Sequence, residues 1–95
     1  MQVAWTKPAL EDLDQIQDYV AQDSPRAAYR LVADILSSVD TTLPNNPMAG
    51  RPGRIDATRE WVVPQTRYII AYRITSKIEV LAVVHGAREW PAYFG

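Results

Sequence analysis

An α+β fold with the element order βααβββ is what this sequence predicts, and three observations carry the prediction. Two amphipathic stretches follow one another, each opened by a hydroxyl residue and a proline. Three runs rich in β-branched and aromatic residues come next, separated by turn signals, and a short alternating segment precedes everything else.

Residues 2–5 form that alternating segment, after which Thr6 offers a hydroxyl cap and Pro8 a preset φ for a helix start. Leu10, Leu13, Ile16 and Val20 recur at helical spacing with Ala9 and Tyr19 flanking them, while Glu11, Asp12, Asp14 and Asp18 fall elsewhere around the wheel. Ser24 and Pro25 repeat the start signal. The second stripe then runs through Ala28, Leu31, Val32, Ile35, Leu36, Val39 and Leu43 until Pro44, Asn45, Asn46 and Pro47 stop it. A tight join between two such helices makes an αα-hairpin. Residues 45–54, rich in Pro, Gly and Arg, read as an ordered loop.

Strands are predicted over residues 59–63, 68–74 and 78–84, with turns at 64–66 and 75–77. Short connections favour antiparallel pairing of these three, with the N-terminal strand at an edge and the helical hairpin on one face of a mostly antiparallel sheet. Strict alternation in the last strand sends Ile78, Val80, Ala82 and Val84 one way and Glu79, Leu81, Val83 and His85 the other, so both faces are largely apolar. Two helices cover one face. The other needs loops, the aromatic tail with Trp90, Pro91, Tyr93 and Phe94, or a partner protein. That tail reads equally as a core plug or a partner-binding segment.

The chain has 95 residues, room for one domain over 1–95. An apolar share of 47% with 22% charged residues fits a folded soluble chain rather than a disordered one. The absence of cysteine excludes disulfides, thiolate metal sites and cysteine nucleophiles and suits a reducing, cytoplasmic setting. No apolar run approaches the length of a membrane span, and no signal peptide is read. The net charge of -1 hides an asymmetry: residues 1–40 hold seven acids against three bases, residues 41–95 four acids against seven bases. Eight of the ten bases are Arg, which favours bidentate contacts with carboxylate or phosphate, but a dedicated nucleic-acid binder is usually basic overall.

Several residues taken together resemble the RelE/ParE superfamily of bacterial toxin–antitoxin toxins. They are Trp5, Ala9, Asp12, Leu13, Ile16 and Tyr19; then PMAGRPGR from Pro47; Thr58, Arg59 and Glu60; YIIAYRI from Tyr68; and IEVLAVVHGAR from Ile78, with Trp90 and Pro91. The resemblance implies a small toxin silenced by a cognate antitoxin that wraps its sheet and helices. It also implies that operator DNA is met only through the toxin–antitoxin complex, and that no membrane and no cofactor are involved. The superfamily divides by target: ParE-like members inhibit DNA gyrase, whereas RelE-like members cleave mRNA on the ribosome. Interferases of the superfamily are generally lysine-rich, and this chain has only Lys7 and Lys77, which favours the ParE-like branch and a non-enzymatic gyrase inhibitor.

His85, the only histidine, is the one side chain whose intrinsic pKa suits proton transfer near neutrality, although a lone His at a strand end is more often structural. By the resemblance, Arg59, His85 and Arg88 fall near positions where interferases hold basic catalytic groups. In that alternative Arg59 and Arg88 stabilise the phosphate and His85 moves a proton. The plainer reading pairs Arg59 with Glu79 or another sheet acid, and Arg88 with Glu60, Glu89 or an antitoxin carboxylate. GRPGR, from Gly50, has no Gly-Lys-Ser/Thr after it and reads as a turn with two exposed arginines. Asp12, Asp14 and Asp18 spread over a solvated face, so no metal is expected, and no serine-hydrolase elbow is present. Arg51, Arg54, Arg59, His85, Arg88 and Trp90 are therefore the expected target- or antitoxin-contact residues. A third reading is a decayed toxin that serves only as a co-repressor.

Overall fold

The structure, a computed structural model, describes residues 1–87; Arg88, Trp90 and the rest of the aromatic tail lie outside the described residues. β1 (Val3–Trp5) passes into α1 (Lys7–Ala21) through Thr6, which has extended backbone. The Thr6 hydroxyl accepts the Ala9 N–H at 3.4 Å and donates to the Val80 carbonyl at 2.7 Å, so one side chain caps the helix and ties its start to the sheet. With its start tied there, α1 buries Ala9, Leu13 and Ile16, and Leu10, expected in the apolar stripe, is 46% exposed. Ala9 presents no bulk, so the first turn of α1 can approach the sheet closely.

Residues 22–24 join α1 to α2 (Pro25–Thr42), whose N-cap Ser24 accepts the Ala27 N–H at 3.2 Å. α2 buries Ala28, Ile35 and Val39, and Leu43 at its C-cap is fully buried as well. The chain then makes a 3₁₀ turn (Pro47–Ala49) before β2 (Arg51–Pro52), β3 (Arg59–Val62), β4 (Tyr68–Ile74) and β5 (Ile78–His85). The sheet order is β1-β5-β4-β3-β2, with β1 parallel to β5 and the other neighbours antiparallel. The expected α+β architecture and the edge position of the first strand are as read from the sequence. The expected loop over 45–54 instead carries a fifth, two-residue strand at the opposite edge. Its Pro52 has no N–H to offer outward, which suits an edge that must not recruit further strands.

Alternation along β5 fails at one point. Ala71 pairs with Ala82 but Tyr72 pairs with Val80, so Leu81 is an inserted bulge residue. One extra residue reverses which side chains face which way. Ile78, Val80 and Val83 therefore join Ile70, Tyr72 and the helix residues in the main core, whereas Ala82 and Val84 join Ala71 in a second cluster on the other face. The predicted grouping of Ile78, Val80, Ala82 and Val84 is thus corrected. The bulge sits where β1 ends opposite Val80, and the next free β5 amide, Val83 N–H, donates to Asp12 Oδ2 of α1 at 2.9 Å. Burying each large core side chain contributes about 1.5–3 kcal/mol.

Candidate functional site

The β2–β3 hairpin gathers Arg51, Arg54 and Glu60 into one charged corner. Arg51 lies opposite Glu60 in the antiparallel register, and residues on one register row share a face. Glu60 is 5% exposed, and it is held from three directions by Arg54. The backbone N–H of Arg54 donates to Oε2 at 2.8 Å, its Nε to Oε2 at 3.0 Å, and its Nη2 to Oε1 at 3.2 Å. Arg51 Nη2 stands farther off, 3.8 Å from Oε1. Burial alone would push the Glu60 carboxyl up. The Arg54 hydrogen bonds and the charges of Arg54 and Arg51 outweigh burial and hold it below the ordinary glutamate range.

Arg59, the next residue round the strand, points to the helix side, where its Nε donates to the Gly50 carbonyl at 2.8 Å. Behind it the fully buried Tyr72 hydroxyl donates to the Pro47 carbonyl at 2.6 Å and accepts the Gly50 N–H at 2.9 Å. A Cβ on Gly50 would lie 2.8 Å from both the Glu60 carbonyl oxygen and the Tyr72 hydroxyl, so the close approach needs glycine. Ala57 turns the hairpin with φ 63°, a left-handed conformation that costs a non-glycine residue about 1–3 kcal/mol. GRPGR therefore carries a two-residue edge strand beside its turn, and its two arginines are exposed as expected while buried groups hold them in place.

His85 is elsewhere. It pairs with Tyr68 at the start of β4, while Arg59 pairs with Tyr72 near the end. Four residues of strand separate the two, roughly 13 Å at about 3.3 Å per residue, before the distance across the strands is added. The His85 ring meets Tyr68 edge-on, with centroids 5.3 Å apart. Its Nδ1 accepts the Ala87 N–H at 3.1 Å, which places the ring proton of neutral His85 on Nε2. Glu79, one of the acids offered to Arg59, pairs with Arg73 instead, and Glu60 pairs with Arg54 and Arg51; the pairing offered to Arg88 lies outside the described residues. Among the described residues no three His, Asp or Glu side chains gather in a way that could hold a metal. No helix among them is long and apolar enough to cross a membrane.

Residues 3–90 match the family model described as the ParE toxin of the type II toxin–antitoxin system parDE. The chain belongs to the ParE toxin family. It is 47% identical over 89 residues to the Putative toxin Y4kP of Sinorhizobium fredii, an alignment spanning 94% of this chain and 92% of that one. It is 35% identical over 88 residues to Toxin RelE2 of Caulobacter vibrioides, covering 92% and 97% of the two chains. A chain of the solved chromosomal ParDE toxin–antitoxin system from P. aeruginosa superposes with a TM-score of 0.80 at 30% identity, covering 90% of this chain and 95% of that one. As a ParE-family chain it is the toxin of a type II toxin–antitoxin system, and membership implies a cognate antitoxin.

Of the expected contact residues, Arg51 and Arg54 meet at Glu60, Arg59 anchors the same hairpin from the other face, and His85 stands apart. Arg88 and Trp90 lie outside the described residues. Tyr72 is an organiser that sequence reasoning missed, and Glu60, offered there only as a partner for Arg88, organises the hairpin through Arg54. A signal existed for Glu60, a lone acid between Arg59 and Trp61 that alternation sends to a sheet face. Asp12 was missed differently: expected on a solvated face, it is half-buried against β5, and burial, more than the Glu11 charge, raises its carboxyl above the ordinary aspartate value despite the Val83 hydrogen bond.

Proposed function

We propose that this ParE-family toxin inhibits DNA gyrase by protein contact and is released from that task when its antitoxin binds. The observation carrying this reading is the separation of His85 from the arginine hairpin. Metal-independent RNA cleavage needs a base, a cation and an acid around one phosphate. Arg59 and His85 stand at opposite ends of β4, and Arg59 is engaged with the Gly50 carbonyl. The buried acid near the arginines, Glu60, is held ionised and saturated by Arg54, so it is poorly placed to shuttle protons. A surface that acts by complementarity needs none of these groups assembled. Arg51, Arg54, Arg59, His85, Arg88 and Trp90 are contact residues in this reading, and the low lysine content fits it.

The test is a supercoiling assay with purified gyrase, plasmid DNA and folded toxin, with and without antitoxin. Lost supercoiling and trapped linear DNA, both reversed by antitoxin, are the expected result. No effect at an excess of folded toxin refutes it. Ribosome-dependent mRNA cleavage that disappears in His85→Ala would establish the endonuclease instead.

A further inference from the structure

On the sheet face opposite the helices, the register sets out two rows. Arg51, Glu60, Ala71 and Ala82 form one, and Val62, Ile69 and Val84 form the next. Burial runs through Glu60 and stops at Arg51 in the first row, and stops at Val62 in the second. Ile69, Ala71, Ala82 and Val84 are 8%, 0%, 3% and 7% exposed, whereas Val62 is 53% exposed and the Arg51 side chain 71%. Glu60 and Val62 also share an edge. Val63 N–H donates to the Tyr68 carbonyl, so alternate residues of β3 direct their amides to β4 and those between, Glu60 and Val62, direct theirs away from it. β2 covers Glu60 but stops short of Val62.

Arg51 is the unspent charge of this rim. Glu60 is satisfied by Arg54, and at 3.8 Å Arg51 makes an ion pair with it but no hydrogen bond. The guanidinium donors of Arg51 therefore remain available for a second anion, and Pro52, Gly53 and Arg54 wall the shallow hollow beside it. Its backbone position is fixed by strand pairing and by the buried Gly50–Tyr72 strap, so little ordering remains to be done on binding. Beside it, one step along the face, is an exposed valine.

We infer that this rim, Arg51 with Val62, seats a segment of the antitoxin that presents a carboxylate side chain next to an apolar one. The carboxylate pairs with Arg51 and the apolar side chain covers Val62. A nucleic-acid backbone fits less well, because Val62 gives a phosphate nothing and the chain carries a net charge of -1 with its acids concentrated in the helical half. The inference rests on the family membership and not on the gyrase reading, so either can fail alone.

The experiment measures antitoxin affinity of the full-length toxin, with the antitoxin taken from the native gene pair, for wild type, Arg51→Glu, Arg51→Gln and Val62→Asp. Arg26→Glu, at an exposed position in the first turn of α2, serves as the matched charge control, and circular dichroism verifies folding of each variant. Arg51→Glu should weaken binding about tenfold or more and Arg51→Gln less, with a shallower salt dependence than wild type, and Arg26→Glu should weaken it less than Arg51→Glu does. Val62→Asp should weaken it too. Folded Arg51→Glu and Arg51→Gln proteins that bind antitoxin within about twofold of wild type overturn the inference. It is overturned equally if the Arg51 variants lose gyrase inhibition or binding to a duplex DNA probe while keeping full antitoxin affinity.

Discussion

Replacing Glu60 with Gln keeps the shape of a buried side chain and removes its charge, which isolates what that charge contributes. In the native hairpin the carboxylate accepts one hydrogen bond from a backbone amide and two from the guanidinium of Arg54. A hydrogen bond to a charged group is worth about 1.5–3 kcal/mol; a Gln amide whose oxygen takes the Oε2 position retains the two bonds made there in weaker, uncharged form, while its NH2 loses the Nη2 bond at Oε1. The Arg54 side chain is 47% exposed, so water takes over much of what its guanidinium loses, and that share is about 0.5 kcal/mol. Together these give a loss of about 2 kcal/mol, which for a domain of this size lowers Tm by roughly 8–16 °C. The sign of the pH dependence follows from the direction of the shift. Because the folded carboxyl lies below the ordinary value of 4.5, its stabilisation is complete above that value. It is lost as pH falls from there through the folded pKa. Denaturant unfolding of both proteins, stepped from neutral pH downward, should therefore show a gap that closes in acid. A gap below about 0.5 kcal/mol at neutral pH, or one that persists unchanged in acid, would refute the reasoning.

Two further substitutions probe the anchors. Tyr72→Phe removes a buried hydroxyl that satisfies both the Pro47 carbonyl and the Gly50 N–H, and should cost about 1–3 kcal/mol in denaturant unfolding. Faster amide exchange at Gly50 should accompany it, and unchanged exchange would count against the strap. Asp12→Asn keeps an oxygen for Val83 N–H while removing a charge that burial disfavours. A carboxyl whose folded pKa is raised lowers stability as pH rises from the ordinary value of 3.8 through the folded pKa, so the variant should match or exceed wild-type Tm at neutral pH. That advantage should vanish in acid; a lower Tm at neutral pH would show that the charge itself holds α1 to the sheet.

Sequence by itself determined the order of the two helices and four of the five strands, and most of their bounds. Capping hydroxyls, prolines and helical spacing are local signals, and Thr6 and Ser24 cap their helices as their positions imply. YIIAYRI became β4 over the span its β-branched pattern indicates. Charge sorting was likewise legible, as was the family resemblance, because both are properties of the chain alone. Tertiary structure decided what depends on one element meeting another. Leu81 looks like any strand residue until β1 ends opposite Val80 and leaves β5 to bulge, which moves Ala82 and Val84 to the other face. Arg51 and Pro52 form a strand only because Glu60 and Arg59 lie alongside to pair with them. Which arginine Glu60 binds, and whether His85 stands near Arg59, follow from register across three strands. Register is a long-range quantity, set by packing and hydrogen bonding between segments distant in sequence, and no local pattern carries it.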